Sequence, residues 1–146
     1  MDDNTKHSAV WDWLAACPLI ADLFFNLAQT DAGDTALVPS ETVSAEYIDG
    51  SSVRLYNVAL TRIMPCSYEP NDLTNVVNLV DFEQLAEWVD EQNAVHAFPA
   101  FPAGESVLEI RVLPNESGFM VAQDASFCKY QLQFQIEYLK EGKTNG

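Results

Sequence analysis

Basic residues are scarce in this sequence: seven Lys and Arg stand against 22 Asp and Glu, and the formal net charge is -15 at pH 7. Proteins that bind nucleic acid through its phosphates need clustered Lys and Arg, so this deficit argues against ordinary nucleic-acid binding. It also disfavours adsorption to anionic membranes. The charge suits a soluble surface, a basic partner, or a passage along which DNA slides without sticking.

Cysteine and histidine are also few, which leaves little material for a metal site. Cys17, Cys66 and Cys128 have no CxxC spacing, so we predict buried free thiols in place of a disulfide framework or a zinc site. His7 and His96 are the only histidines, and they lack the i, i+4 spacing of zinc-binding helices. We therefore expect no metal and no cofactor.

Catalytic motifs and long apolar runs are absent from the sequence. There is no glycine-rich phosphate loop and no GxSxG nucleophile elbow. The segment from Asp31 to Asp34 lacks the alternating oxygen ligands and closing glutamate of a calcium loop. No stretch approaches the roughly 20 apolar residues that span a bilayer, and no signal peptide is visible. We expect a soluble intracellular protein that is not an enzyme.

The strongest pattern that is present lies near the C-terminus, where large apolar side chains alternate with glutamines and one glutamate from Tyr130 to Tyr138. Successive side chains of a strand point to opposite faces of its sheet. The alternation therefore predicts a half-buried antiparallel strand with one dry face and one face rich in amides. The dry positions are Tyr130, Leu132, Phe134, Ile136 and Tyr138, and the wet positions are Gln131, Gln133, Gln135 and Glu137.

Two helices are predicted upstream of this strand. The first runs from about Asn4 to Ala16, with Asn4 or Thr5 as N-cap, and Pro18 ends it. The second follows Pro70 and runs to about Gln92. Its apolar residues at helical spacing are Leu73, Val76, Val77, Val80, Leu85, Trp88 and Val89.

Between these helices the sequence predicts a β-hairpin from Thr42 to Met64, because Asp49-Gly50 is favoured in type I′ hairpin turns. Its second arm, Val53 to Ile63, is apolar on both faces, so we expect it inside the sheet or against another subunit. The segment from Leu19 to Leu27 is predicted as a short strand or an irregular segment. Gln29 to Ser40 reads as an exposed loop that admits a short strand from Thr35 to Val38.

A three-stranded meander completes the prediction, with strands at Val107 to Leu113, Gly118 to Ala122 and Phe127 to Leu139. The succession of helix, hairpin, long helix and meander indicates an α+β fold: an antiparallel or mixed sheet with two helices packed on one face. No internal repeat or domain boundary is visible, so residues 1–146 are expected to form a single domain.

Two candidate surfaces follow from these patterns. Gln131, Gln133 and Gln135, together with Tyr56 and Val58 of the second hairpin arm, form a candidate self-association surface. The alternative is that the glutamine face is a plain polar back of the sheet. A second set is acidic and is either the lumen of an assembly or a solvated face. It consists of Glu83, Glu87 and Glu91 of the long helix with Asp31 and Asp34 of the loop.

Five segments occur in an order that bears on the class of the protein. They are Trp13-Leu14 with Cys17-Pro18; Glu46-Tyr47-Ile48-Asp49-Gly50; Asn78 to Asn93, containing Phe82-Glu83 and the run from Glu87 to Asn93; Phe98-Pro99; and Lys129-Tyr130-Gln131-Leu132-Gln133. This ordered set, which spans most of the chain, resembles small proteins of tailed bacteriophages that infect Gram-positive hosts. Those proteins are encoded among the head-to-tail joining genes as minor capsid or tail terminator proteins.

The resemblance implies a tail-terminator fold, a mixed sheet flanked by helices, that assembles as a hexameric ring in the neck of the virion. Such a ring caps the tail tube and docks to the head connector, after assembly in the host cytoplasm. DNA would pass through its channel without specific binding, since an acidic lumen repels phosphate. The loop from Gln29 to Ser40 is the candidate tube contact. The family supplies no catalytic residues.

Two rival functions remain open on the sequence, with an enzyme as the weakest third. A head completion protein would also be a component of the virion. An acidic inhibitor that mimics DNA would instead stay small and capture a basic protein.

Overall fold

The computed structural model describes residues 5–20, 23–25, 35–65, 73–113, 119–123 and 127–142. In these ranges the chain forms two helices and six strands. The helices are α1 (Lys6–Ala15) and α2 (Thr74–Ala94), and the strands are β1 (Leu23–Phe25), β2 (Thr35–Glu46), β3 (Ser52–Pro65), β4 (Glu105–Val112), β5 (Phe119–Gln123) and β6 (Phe127–Lys140).

The six strands form one sheet in which β6 is an inner strand. The order is β1-β2-β3-β6-β4, and β5 also pairs with β6. β1 is parallel to β2 and the other pairs are antiparallel, so the sheet is mixed. The predicted α+β class is confirmed. The predicted position of the second hairpin arm inside the sheet is also confirmed, since β3 lies between β2 and β6.

The C-terminal strands are paired differently from the predicted meander. β4 pairs with β6 from Glu105↔Lys140 to Val112↔Phe134, and β5 pairs with β6 from Phe119↔Gln131 onward. β3 pairs with the whole length of β6, so β4 and β5 share its other edge, one after the other. The 14 residues of β6 offer more backbone hydrogen-bonding groups than the short strands β4 or β5 could satisfy alone.

The hairpin of β2 and β3 turns at the predicted Asp-Gly dipeptide. Gly50 has φ 90°, a conformation that glycine adopts without steric cost. The Asp49 carboxylate accepts hydrogen bonds from the backbone N–H of Ser51 at 2.9 Å and from the Ser51 hydroxyl. These contacts lower the pKa of Asp49, chiefly through the bond from the Ser51 side chain.

The first arm of the hairpin begins earlier than predicted. Thr35, Ala36 and Leu37 are buried in β2, and β1 pairs with them from Leu23↔Thr35 to Phe25↔Leu37. The optional short strand from Thr35 to Val38 is therefore confirmed, and it continues without a loop through Pro39 and Ser40 into the first arm of the hairpin. Residues 29–34, which include Asp31 and Asp34, lie outside the described residues.

Both helices pack on the same face of the sheet, as predicted. Thr5 caps α1 in a capping box with Ser8, and the ring of Trp13 lies 5.8 Å from that of Phe134. On α2, Phe82 lies 5.8 Å from Tyr130. Phe134 and Tyr130 belong to the dry side of β6, so this face carries the core.

The predicted alternation of β6 is confirmed. Every dry position from Tyr130 to Tyr138 is buried, whereas the four intervening positions are half-buried on the opposite face. Neither described helix has the length and apolar character that crossing a bilayer requires.

The prediction of free thiols holds for one described cysteine and is wrong for another. Cys17 is buried and free, and burial raises its pKa although nearby backbone N–H groups and Arg62 oppose the shift. Cys128 is disulfide-bonded. It lies opposite Met64 across the β3–β6 pairing, a neighbourhood that sequence spacing does not reveal. Cys66 lies outside the described residues.

Candidate interaction surface

The structure divides the predicted self-association set between two faces of the sheet. Tyr56 and Val58 point into the core, with exposures of 0% and 1%. They pair with Ile136 and Phe134 on the side that carries the helices. Tyr56 and Val58 therefore cannot belong to an exposed surface, because this face of the second hairpin arm packs into the core. Gln131, Gln133 and Gln135 lie on the opposite face.

That opposite face carries a row of amides, which we call the amide face and define as Asn57, Gln131, Gln133 and Gln135. Asn57 of β3 lies directly across from Gln135 of β6, so the two amides are cross-strand neighbours. All four side chains are half-buried, and in the described part of the chain no helix packs over them. The amide face is an uncharged row of side chains on β3 and β6, the inner strands of the sheet.

Asn57 is the one residue of the amide face that the sequence did not indicate. Its Nδ2 donates to Thr42 Oγ1 at the long distance of 3.5 Å, and its Oδ1 is buried without a hydrogen-bond partner among the described residues. A buried unsatisfied acceptor costs about 1–3 kcal/mol. The terminal torsion of asparagine has a broad energy profile, so the amide can turn outward to a donor on another molecule.

A shallow, partly charged depression borders the amide face. Leu55, Glu109, Arg111, Gln135 and Glu137 line it. Arg111 Nη2 lies 3.2 Å from Glu109 Oε2, and both side chains are exposed. An exposed pair of this kind contributes little to stability and remains able to exchange for contacts with another molecule.

One edge of the sheet is open next to this face. β1 pairs only with the first three residues of β2, so in the described structure residues 38–46 of β2 have no strand on that side. Val38 and Val43 are exposed there. Pro39 lacks an N–H, and the pairing with β3 is irregular between Val43 and Ala45. Both features make it harder for a strand of another molecule to pair with this edge of β2, but they leave the edge accessible.

A polar cluster ties α1 to this end of the sheet. Lys6 Nζ lies 2.8 Å from Glu41 Oε1 and donates to the Tyr138 hydroxyl at 3.3 Å. The same hydroxyl donates a short hydrogen bond to Glu41 Oε1. Beside them, His7 Nδ1 shares a hydrogen bond of 2.7 Å with the Tyr56 hydroxyl. Three elements, α1, β2 and β6, meet at one carboxylate.

The electrostatics of the cluster favour a structural role. Burial raises the pKa of Tyr56 and of Tyr138, and the nearby Glu41 carboxylate adds to both shifts. Burial also opposes ionisation of Glu41, yet the hydrogen bonds from Lys6 and Tyr138 outweigh it and lower its pKa. Neutral tyrosines held against an ionised carboxylate act as hydrogen-bond donors and not as nucleophiles.

The acidic residues of α2 are on the surface. Glu83, Glu87 and Glu91 are exposed, as expected for either a solvated face or a lumen. Unexpectedly, some of the apolar residues that gave α2 its helical pattern are exposed as well. Leu73, Val77 and Val80 have exposures of 68%, 54% and 45%, whereas Leu85 and Val89 are buried.

No group of three or more His, Cys, Asp or Glu that could hold a metal ion occurs in the described ranges. A comparison with protein-family models gives no matching family, and no curated protein matches the chain.

Proposed function

We propose that this protein is a structural component of a phage virion, a tail terminator that assembles as a hexameric ring, caps the tail tube and joins it to the head connector. The observation that carries the proposal is the amide face, a polar row of the sheet that no described helix covers. The resemblance of the ordered sequence segments to head-to-tail joining proteins supplies the biological setting.

The chemistry of the amide face suits contact with a second copy. Glutamine and asparagine side chains donate and accept hydrogen bonds, so they can satisfy each other or a partner's backbone. Their burial avoids the large desolvation cost of a charge. The open edge of β2 at residues 38–46 adds unpaired backbone groups at the border of the sheet.

The charge of the chain suits a channel for DNA. Each subunit has a formal net charge of -15, so a ring of six copies is strongly acidic. An acidic wall repels phosphate, which lets a genome pass without being held.

The test measures assembly of the protein alone and with tail tubes, by light scattering and negative-stain imaging. We expect rings on tube ends. Gln135→Glu places a new charge on the amide face, at its border with the charged depression, and it should weaken or abolish rings because the charge would have to be buried between copies. Ala15→Glu adds a carboxylate at the exposed end of α1, away from both surfaces, and should leave assembly intact. Thermal unfolding verifies that both variants remain folded.

A monomer at every concentration that also ignores tail tubes would contradict the proposal. The net charge of -15 would then favour the rival function, an acidic mimic of DNA. A mimic should remain monomeric and compete with DNA for a basic protein. A ring found at the portal side alone would favour a head completion protein.

A further inference from the structure

The outward surface of α2 carries a straight stripe with two chemically different halves. We call it the outer stripe of α2 and define it by its residues, which alternate at steps of four and three: Leu73, Val77, Val80, Gln84, Glu87 and Glu91. All six are exposed. This spacing places them on one line, opposite the side of the helix that carries Phe82, Leu85 and Val89 into the core.

The first half of the stripe is apolar to a degree that the fold does not explain. Leu73, Val77 and Val80 are each at least 45% exposed. Single exposed apolar residues are ordinary, but a contiguous row of them on one helix marks an interaction site. Steps of four and three residues are the pattern by which one helix packs along another. The geometry of the stripe therefore suits a helical partner.

The second half of the stripe is acidic and lies at the unfavourable end of the helix. Glu87 and Glu91 are four residues apart and repel each other. The C-terminus of a helix carries partial negative charge, which Lys or Arg would offset, yet α2 has no basic residue in its last turn. No Lys or Arg among the described residues forms an ion pair with either glutamate. A cationic partner would relieve both repulsions.

The same stripe of a second copy cannot supply that partner surface. In a parallel pairing, Glu87 and Glu91 of one copy would face the same carboxylates of the other. In an antiparallel pairing, Glu87 and Glu91 of one copy would lie against Leu73 and Val77 of the other. The carboxylates would then lose their water without gaining a polar partner. Charge complementarity thus points to a different protein.

We propose that the outer stripe of α2 binds a helix of another protein, and that this helix presents apolar residues against Leu73, Val77 and Val80 and basic residues against Glu87 and Glu91. The stripe is about 27 Å long at the rise of an α-helix, so a partner segment of five turns covers it. This inference is independent of ring formation, because the amide face lies on the opposite side of the sheet from α2.

The test uses two synthetic helical peptides that carry leucines along one half of a stripe and lysines along the other half. One peptide has the leucines in its N-terminal half, and the other has them in its C-terminal half. A third peptide has the same composition in scrambled order. Titration is followed by fluorescence anisotropy at several salt concentrations. We expect at least one patterned peptide to bind about 10-fold more tightly than the scrambled one, with an affinity that falls as salt rises.

Variants separate the stripe from the general acidity of the chain. The double variant Val77→Ser, Val80→Ser should weaken binding by about 10-fold, and Glu87→Gln, Glu91→Gln should weaken it and flatten its salt dependence. The matched control, Glu46→Gln with Glu141→Gln, removes two exposed carboxylates elsewhere and should leave the affinity unchanged. Thermal unfolding verifies the fold of each variant.

Equal binding of patterned and scrambled peptides would overturn the inference, as would an equal loss in the control variant, since either result would reflect bulk charge alone. Absence of binding by both patterned peptides would overturn it too. Loss of rings in Gln135→Glu with unchanged peptide binding would show that the two surfaces are separate.

Discussion

At the scale of single residues, the Lys6–Glu41–Tyr138 cluster shows what the sequence could not predict. Tyr138 is far from both partners in the chain, at separations of 132 and 97 positions. The alternation of β6 predicted that Tyr138 faces the core, but it gave no indication of what its hydroxyl meets there. Pairings of this kind depend on strand register, which local patterns do not specify.

The hydroxyl of Tyr138 should contribute measurably to stability. Tyr138→Phe removes the group that donates to Glu41 and accepts from Lys6, so we expect a loss of about 1–2 kcal/mol in the free energy of unfolding, measured with urea. Tyr47→Phe is the matched control, because Tyr47 is exposed in the hairpin turn, and it should change little. Equal effects of the two substitutions would mean that the cluster is loosely held.

Glu41 should make stability depend on acidity in a defined window. Its folded-state pKa lies below the ordinary value of 4.5, so the unfolded chain binds more protons there and stability rises with pH. The contribution is complete above about pH 4.5 and is lost as the pH falls through the lowered pKa. The stability gap between the natural chain and Glu41→Gln should therefore be largest near neutral pH and shrink on acidification.

Urea titrations at constant ionic strength measure this gap. Comparing two chains that differ only at Glu41 removes the common effect of the other carboxylates. A gap that stays constant from neutral pH to well below pH 4 would show that Glu41 is not held as an ion by Lys6 and Tyr138.

At the scale of elements, strong local patterns predicted most strands and both helices. Local patterns did not predict features that depend on which strands pair in the folded sheet. Asp49-Gly50 located the hairpin turn because few residues other than glycine adopt the required backbone. The beginning of β2 was predicted only as an optional short strand from Thr35 to Val38, separate from the hairpin, because its partner β1 has only three residues. The exposure of the apolar half of the outer stripe of α2 was also missed, since periodicity reports spacing and not which side faces the core.

The register of β2 can be checked with two neighbouring substitutions. Leu37 is fully buried and Val38 is exposed, so Leu37→Ala should cost about 2–4 kcal/mol and Val38→Ala less than about 0.5 kcal/mol. Chemical denaturation of both variants gives the comparison. Two small and similar losses would indicate that this segment is an exposed loop and not a strand.

At the scale of the whole molecule, charge opposes the compact state. With a formal net charge of -15 and two ion pairs among the described residues, self-repulsion should dominate the long-range electrostatics. We therefore expect the melting temperature to rise between low and high concentrations of sodium chloride, because salt screens repulsion between exposed charges. A melting temperature that falls with added salt would mean that attractive pairs prevail.

The position of β6 has a consequence for how the protein is made. Ribosomes extend the chain from its N-terminus, and β6 emerges after every other described strand. Before β6 is synthesised, the edge of β3 that pairs with β6 is open. β4 and β5 also lack the strand with which they pair in the folded sheet. The nascent polypeptide therefore exposes apolar strands until β6 is synthesised. During that interval we expect it to bind chaperones that hold unfinished chains.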